Sequence, residues 1–166
     1  QLTIQEQIKG DDNSRAPFGL GLLFHYQPLT RLTLNGLGLS LQLDSGRWLR
    51  AGFGYHFSSN NLLDLPYKTH TISLQIAAGY GVGTGPFAFW IGAMLNPMFV
   101  IRNSPEESLW NMGFATGLLG HFDYHIKPDF ALRLAVSGGV NAILFANNVM
   151  QAAPTFGMGI GLIWKP

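Results

Sequence analysis

The chain has 166 residues, enough for one domain, and is 47% hydrophobic but only 11% charged, whereas a soluble domain usually carries about 25% charged residues. Its net charge of +1, without a basic cluster, argues against a partner such as nucleic acid, whose phosphates must be neutralised by many cations. The absence of cysteine excludes a disulfide framework and a thiolate metal site.

The first fifteen residues differ from the rest of the chain. Their alternation of apolar and polar residues is broken at Glu6, and the stretch "DDNS" from Asp11 is typical of a linker. We therefore predict an N-terminal periplasmic segment at 1–15, followed by a single folded unit at 16–166. A first residue Gln1 is compatible with export and removal of a signal peptide.

Apolar residues recur at every second position through most of the remaining chain, which is the period of a β-strand. The stretch from Ile76 to Ile101 is a test case, because it carries no charge and is long enough for a membrane helix. It contains five Gly and two Pro, however. Inside a helix each Gly costs about 1 kcal/mol and each Pro about 3 kcal/mol relative to Ala. Two strands joined at "GTGP" fit better, and about eight strands are predicted in all, near 18–26, 37–43, 49–57, 72–82, 87–95, 110–123, 130–137 and 156–164.

The two faces of these strands have different compositions. One face is a nearly continuous layer of Leu, Ile, Phe and Met, and the other is rich in Gly, Ser and Gln together with the charges of Arg50, Asp123 and Arg133. We interpret the apolar face as lipid-facing and the polar face as the lumen, rather than as the core and surface of a soluble sandwich. The predicted fold class is all-β, an eight-stranded antiparallel up-and-down transmembrane β-barrel.

The connections predict which end of the barrel is which. Short turns are expected at "DSGR", "GTGP" and "HIKPD" on the periplasmic side, and longer outer loops at "SSNNLLDLPYK", "NSPEES" and "FANNVMQ". One short outer connection is expected at "QPLTR", with a bulge at Asn35–Gly36. Pro97 is predicted to mark a bulge or the emergence of its strand near the outer rim. Aromatic residues near both sets of strand ends predict two interfacial belts.

The hairpin "LLFHYQPLTRLTLNGLGLSLQ" and the closing "FGMGIGLIWKP" resemble small outer-membrane β-barrels of the OmpA/OmpX kind, in particular Bacteroidota members of that superfamily. The resemblance covers roughly Pro17 to Pro166 and implies the fold and an integral position in the bacterial outer membrane. The chain departs from this pattern at Trp164-Lys165-Pro166, where such barrels often end in Phe.

Six residues are candidates for a polar network in the lumen. We predict that Arg50 joins three residues near "HIKPD" in a charge network that plugs a narrow lumen. In that hairpin His121 is expected to face Arg133, with Asp123 diagonal to it. A proton relay or an ion gate is the alternative. The rim histidines are predicted to be hydrogen-bonded in the lumen, with a metal site as the alternative. The six candidates are Arg50, Asp123, Arg133, His121, His25 and His56.

The sequence contains no motif that assigns a reaction, and we predict no cofactor or catalytic residue. A structural role, or a role as accessory subunit of a larger envelope complex, is the favoured expectation, with outer-membrane lipid and lipopolysaccharide as surroundings. The alternatives are a lipid-modifying enzyme, a carrier of a hydrophobic ligand in a Gly-rich lumen, and a small pore. An enzyme would need a nucleophile and a base within hydrogen-bond reach, and the nearest candidates are Ser58, Ser59, Asp64 and His70.

Overall fold

Eight antiparallel strands form a closed barrel in the computed structural model, in which each strand pairs with its sequence neighbours and β1 pairs with β8. The structure describes residues 18–27, 36–62, 65–144 and 149–166. The predicted fold class is confirmed. The strands are β1 (Phe18–Gln27), β2 (Gly36–Ser45), β3 (Leu49–Leu62), β4 (Leu65–Thr84), β5 (Phe87–Asn103), β6 (Ser108–Lys127), β7 (Phe130–Leu144) and β8 (Met150–Trp164). Across the described ranges, no helix has the length and apolar character needed to span a membrane.

The outer wall of the barrel is apolar and the inner wall is buried. In β2 the exposed and buried residues alternate strictly from Leu37 to Ser45, with Leu41 58% exposed and its neighbour Gln42 only 3% exposed. The same alternation in the other strands leaves large Leu, Ile and Phe side chains on the outside, such as Ile91 at 61% exposure. A continuous apolar outer band around a closed barrel is the surface that a lipid bilayer solvates.

Three tight turns define one end of the barrel, here named the turn end. They lie at 46–48 between β2 and β3, at 85–86 between β4 and β5, and at 128–129 between β6 and β7. Gly46 and Gly85 have positive φ angles of 58° and 55°, a conformation that residues with a Cβ rarely adopt. The turn starts at Gly46, two residues later than the predicted turn "DSGR", because Asp44 and Ser45 still belong to β2.

The opposite end, here named the hairpin end, differs from the prediction of long loops. The described residues of "SSNNLLDLPYK", which leave out 63–64, do not form a loop: β3 and β4 stay paired from Ser58↔Thr69 to Leu62↔Leu65. "NSPEES" is a short turn, closed by a hydrogen bond from the Ser104 backbone N–H to the Glu107 carbonyl oxygen (2.9 Å). The predictions for residues 1–15, for "QPLTR", for the bulge at Asn35 and for most of "FANNVMQ" lie outside the described residues.

Pro97 lies inside β5, faces outward and pairs with Phe114 of β6. The first alternative, a bulge, is wrong, because β4 and β5 keep the same register on both sides, at Ser73↔Met98 and at Ile76↔Leu95. The second alternative, emergence of the strand near the outer rim, stays a prediction. The ladder to β4 is interrupted only between these two pairs. Proline has no N–H to donate, so the pairing is lost locally without a shift of register.

The many lumen glycines make room for larger neighbours. A Cβ at Gly38 would collide with the ring of His56, and a Cβ at Gly21 would collide with the side chain of Ile163. At Gly117 a Cβ would collide with the backbone of the neighbouring strand β7. The glycines therefore accommodate packed side chains and close strand contacts, which leaves less open lumen than the Gly content alone would suggest.

Candidate functional site: a charged cluster across the lumen

Arg133 of β7 is the centre of the inner polar network and is fully buried. Its Nε and Nη2 donate to Oδ1 and Oδ2 of Asp123 at 2.7 and 2.8 Å. Its Nη1 and Nη2 donate to Oδ1 and Oδ2 of Asp44 at 2.9 and 2.6 Å, and Nη1 also donates to the Gln42 side-chain oxygen at 3.2 Å. Arg133 thus makes two bidentate carboxylate pairs at once, which the planar fork of a guanidinium permits and a lysine ammonium does not.

Each of the two carboxylates has a second cation. Arg50 Nε lies 3.2 Å from Asp44 Oδ1, and Lys165 Nζ lies 3.1 Å from Asp123 Oδ2. We name the five charged residues Asp44, Arg50, Asp123, Arg133 and Lys165 the Arg133 cluster. They come from β2, β3, β6 and β7 and from the residue after β8, so the cluster joins most of the barrel wall across the lumen.

Arg50 also fixes the turn end. Its Nη1 donates to the carbonyl oxygens of Gly46 and Leu49 at 2.9 and 3.0 Å. Its guanidinium lies over the ring of Trp90, 5.1 Å from the centroid, and Trp90 Nε1 donates to the Arg47 carbonyl oxygen at 3.0 Å. The stacked and hydrogen-bonded guanidinium therefore holds the 46–48 turn against the inner wall of β5.

The strand register explains the cluster and corrects one prediction. Asp123 pairs directly with Arg133, whereas His121 pairs with Ala135, so the expectation that His121 faces Arg133 is wrong. The turn lies at 128–129 and is not centred on Lys127, and the register shifts by one residue between His125 and Lys127. Together these two features displace the observed pairing by two residues from the predicted pairing. Centring the hairpin on the whole of "HIKPD" missed this bulge.

Three members of the network were not among the predicted candidates: Asp44, Gln42 and Lys165. Asp44 carried a detectable signal, because it continues the lumen-facing alternation of Ser40 and Gln42. The sequence nevertheless favours a turn at Asp44, because "DSG" is also typical of turn sequences. Lys165 follows the last strand, and its contact with Asp123 depends on how β8 closes the barrel against β7.

His121 is 4% exposed and lines a cavity of about 110 Å³ at the turn end. Its ring lies 5.5 Å from the ring of Trp90, and neither of its nitrogens has a hydrogen-bond partner among the described residues. Leaving a buried polar group unpaired usually costs about 1–3 kcal/mol. His121 therefore lies beside the Arg133 cluster without being bonded to it.

His25 and His56 form a second polar site, here named the histidine pair. Their ring centroids are 5.8 Å apart, and His25 Nε2 lies 2.5 Å from Ser40 Oγ. Both line a smaller cavity of about 60 Å³ with Ser73, Gln75 and other residues. Within the described part of the chain, no group of three or more His, Asp or Glu side chains is placed to hold a metal ion. The six predicted residues thus divide between the Arg133 cluster, His121 and the histidine pair.

Of the residues considered for catalysis, Ser58 and His70 lie on opposite faces of the β3–β4 pair, and Ser59 shares the outward face with His70. Ser58 is buried on the lumen side, whereas His70 lies on the outward face, where its Nδ1 is 2.7 Å from the hydroxyl of Tyr55. Ser59 is exposed, and Asp64 lies outside the described residues. A nucleophile and base on opposite faces of a strand pair are not within hydrogen-bond reach.

The closed eight-stranded wall, the apolar outer band and the side-chain-filled lumen define a transmembrane β-barrel of the small outer-membrane type. Solved structures agree with this class. The chain is similar to neisserial surface protein A (TM-score 0.55, 12% identity, 90% of this chain and 96% of that chain covered). It is also similar to the N-terminal β-barrel domain of Pseudomonas aeruginosa OprF (TM-score 0.54, 10% identity, 89% and 96% covered).

A third similar structure is Ail, the attachment invasion locus protein of Yersinia pestis, with a TM-score of 0.50, 11% identity and coverage of 92% of this chain and 100% of that chain. At these identities the likeness concerns the fold. The predicted resemblance to small outer-membrane β-barrels is confirmed at that level. No protein-family model and no curated protein matches the chain.

Proposed function

We propose that the protein is a structural β-barrel of the bacterial outer membrane, exported after removal of a signal peptide, whose lumen is closed to solutes. The observation that supports this proposal is the position of Arg133, fully buried and bonded simultaneously to Asp44 of β2 and Asp123 of β6. A bidentate contact on each side holds the guanidinium across an eight-stranded lumen that is barely wider than its side chains.

The same cluster argues against the pore alternative, and the cavity sizes argue against the carrier alternative. The two cavities at the turn end and at the histidine pair are about 110 and 60 Å³. Sites for drug-sized ligands are usually about 300–1,000 Å³. The outer apolar band supports the proposal that membrane lipid, including the acyl chains of lipopolysaccharide, surrounds the barrel.

Conductance in planar lipid bilayers tests the closed lumen. The wild-type barrel is expected to give no stepwise current, whereas the triple variant Asp44→Ala, Asp123→Ala, Arg133→Ala, which removes the bridge and its charges together, is expected to conduct. Variant His70→Ala, on the outer wall, is the control and should stay silent. Equal current steps in the wild type and the triple variant would contradict the proposal.

A role as accessory subunit of a larger envelope complex is the second candidate, favoured by the length of the hairpin formed by β3 and β4. These strands have 14 and 20 residues, and the pairing continues to Leu62↔Leu65. A strand pair extended beyond the roughly 9–11 residues needed to cross a bilayer offers a surface for a partner protein.

Co-purification from mild detergent tests this second candidate. Ser58 and Thr69 face each other, so replacing residues 59–68 by Asn-Gly shortens the hairpin without changing its register. The matched control replaces residues 104–107 by Asn-Gly between the facing Asn103 and Ser108. A partner lost from the first variant and retained by the second supports the proposal, as would a partner lost on deletion of residues 1–15. A barrel that purifies alone in every case contradicts it.

A further inference from the structure

The histidine pair lies in a single layer of the lumen. His25 of β1 pairs with Gly38 of β2, and Gly38 pairs in turn with His56 of β3. A Cβ at Gly38 would collide with the His56 ring. A Cβ at Gly159 of β8 would lie 2.7 Å from His25 Nδ1. Each imidazole therefore lies over a glycine of a neighbouring strand, and the two ring centroids come within 5.8 Å of each other.

The cavity beside the histidine pair contains no carboxylate among the described residues. Of its lining side chains, only the two imidazoles take up a proton between about pH 8 and about pH 5. Hydroxyl and amide groups can hydrogen-bond an imidazolium, but they cannot neutralise its charge. The remaining polar lining consists of such groups, from Tyr26, Ser40, Ser73, Gln75, Asn96 and Ser137.

The described charged groups on either side of this layer do not supply an anion to it. On the turn-end side lie His121 and the Arg133 cluster, in which each carboxylate is already paired with two cations. Asp44, the carboxylate of the cluster on β2, is four residues from Ser40, or about 13 Å along the strand. On the hairpin-end side, Arg102 of β5 is a further cation that faces the lumen.

Outside the described ranges, no acidic residue of the hairpin-end connections is close in the chain to either histidine. The one acidic residue of those connections is Asp64, whereas 28–35 and 145–148 contain none. The strand that leads to Asp64 continues for six residues beyond His56, to Leu62, or about 20 Å. Residues 1–17 join the barrel at its turn end, away from the histidine pair.

A protonated histidine in this layer is unfavourable, because a low-dielectric lumen disfavours a charge that has no partner. A second proton places two cations side by side, and their repulsion is a further cost. We propose that the histidine pair is an acid-operated latch for its cavity. Near neutral pH, the two uncharged rings pack over their glycines and close the cavity on the hairpin-end side. As the pH falls and both rings take up protons, the rings separate, leave this layer and admit water.

The latch goes beyond the proposed structural role, and its opening leaves the Arg133 cluster in place. The wild-type barrel should therefore give no current at acid pH either, because the cluster still closes the turn end. Failure of the latch and failure of the closed lumen are thus distinguishable, the first by labelling inside the cavity and the second by conductance.

Ser73 is suited to report on the latch. It lines the cavity, is 5% exposed, and pairs with Gly54, two residues from His56 toward the turn end. The chain has no cysteine, so Ser73→Cys introduces a single thiol. Its labelling rate with dithiodipyridine is measured in detergent at about pH 8 and about pH 5. Each rate is divided by that of the urea-unfolded chain at the same pH, which removes the pH dependence of the thiol itself.

We expect this normalised rate to rise at least tenfold at acid pH, while gel mobility shows that the barrel stays folded. The variant with His25→Gln and His56→Gln carries neutral amides that do not titrate, so its rate should no longer depend on pH. Variant His70→Gln removes a histidine from the outer wall and is the matched control, which should keep the acid response.

The absence of an acid-induced rise in Ser73→Cys overturns the proposal, and so does unfolding of the whole barrel over the same pH range. An undiminished rise in the double Gln variant overturns it as well. If that variant does not fold, His56→Gln alone decides in its place, because a single histidine cannot form a pair of cations. A smaller acid response in His56→Gln then supports the latch, and an undiminished response contradicts it.

Discussion

The Arg133 cluster and the histidine pair lie in the same lumen, yet they are held together by different forces. Arg133 makes two bidentate, charge-assisted contacts with Asp44 and Asp123, whereas His25 has a single contact with the Ser40 hydroxyl and a tilted ring neighbour in His56. The cluster also joins non-adjacent strands, while Ser40 lies on β2, next to the strand of His25. Removing one residue should therefore cost far more in the first site than in the second.

The largest effect is expected for Arg133→Leu. This change leaves two buried carboxylates without their main partner, and breaking a buried ion pair in this way usually costs about 3–5 kcal/mol. We expect a correspondingly lower free energy of unfolding, measured by urea titration of the barrel in lipid vesicles. The variant that also carries Asp44→Asn and Asp123→Asn should regain part of the loss, because no buried carboxylate then lacks its partner, although Arg50 and Lys165 lose theirs. A loss below 1 kcal/mol in Arg133→Leu would mean that the cluster does not stabilise the barrel.

Arg50→Leu should have an intermediate effect. The change removes charge-assisted hydrogen bonds to the Gly46 and Leu49 carbonyl oxygens, and hydrogen bonds to charged groups are worth about 1.5–3 kcal/mol. The thermal midpoint in detergent should fall by less than for Arg133→Leu. An unchanged midpoint would show that Arg50 does not hold the 46–48 turn.

At the histidine pair, packing can be tested by adding a methyl group. Gly38→Ala places a Cβ against the His56 ring, and overpacking usually costs about 1–3 kcal/mol. The double variant Gly38→Ala, His56→Ala removes the collision, so the cost of Gly38→Ala should largely vanish in that background. The same cost with and without the His56 ring would contradict this contact.

The smallest effect is expected for Ser40→Ala. It removes the hydroxyl partner of His25 Nε2, and a neutral hydrogen bond contributes about 0.5–1.5 kcal/mol. The unfolding free energy should fall within that range. A loss as large as that of Arg133→Leu would contradict the contrast between the two sites.

Period-two alternation was sufficient to predict the number of strands and their faces, because lipid and lumen demand different residues at alternate positions. Strand ends were harder to predict. The polar residues of "SSNNLLDLPYK" favour a loop by composition, but the described residues of this stretch are paired in an extended hairpin. Composition does not separate these cases, since both environments are polar.

The partners within the cluster were the least predictable part. The position of the turn at 128–129 and a one-residue register shift near His125 together decide that Arg133 faces Asp123 instead of His121, and neither has a clear composition signal. Asp44 and Arg133 are in contact although they are 89 positions apart in the sequence. It becomes visible only when the closure of the barrel places β2 opposite β7.

A double-mutant cycle between Asp44 and Arg133 tests most directly whether the cluster joins the two sides of the lumen. The cycle uses Asp44→Asn, Arg133→Met and the double variant, with unfolding free energies measured in lipid vesicles. Residues in one ion-pair network show coupling energies of about 0.5–3 kcal/mol, and with four polar atoms in bidentate contact we expect a value in the upper half of that range. Additive losses, with coupling below about 0.5 kcal/mol, would contradict a bridge across the lumen.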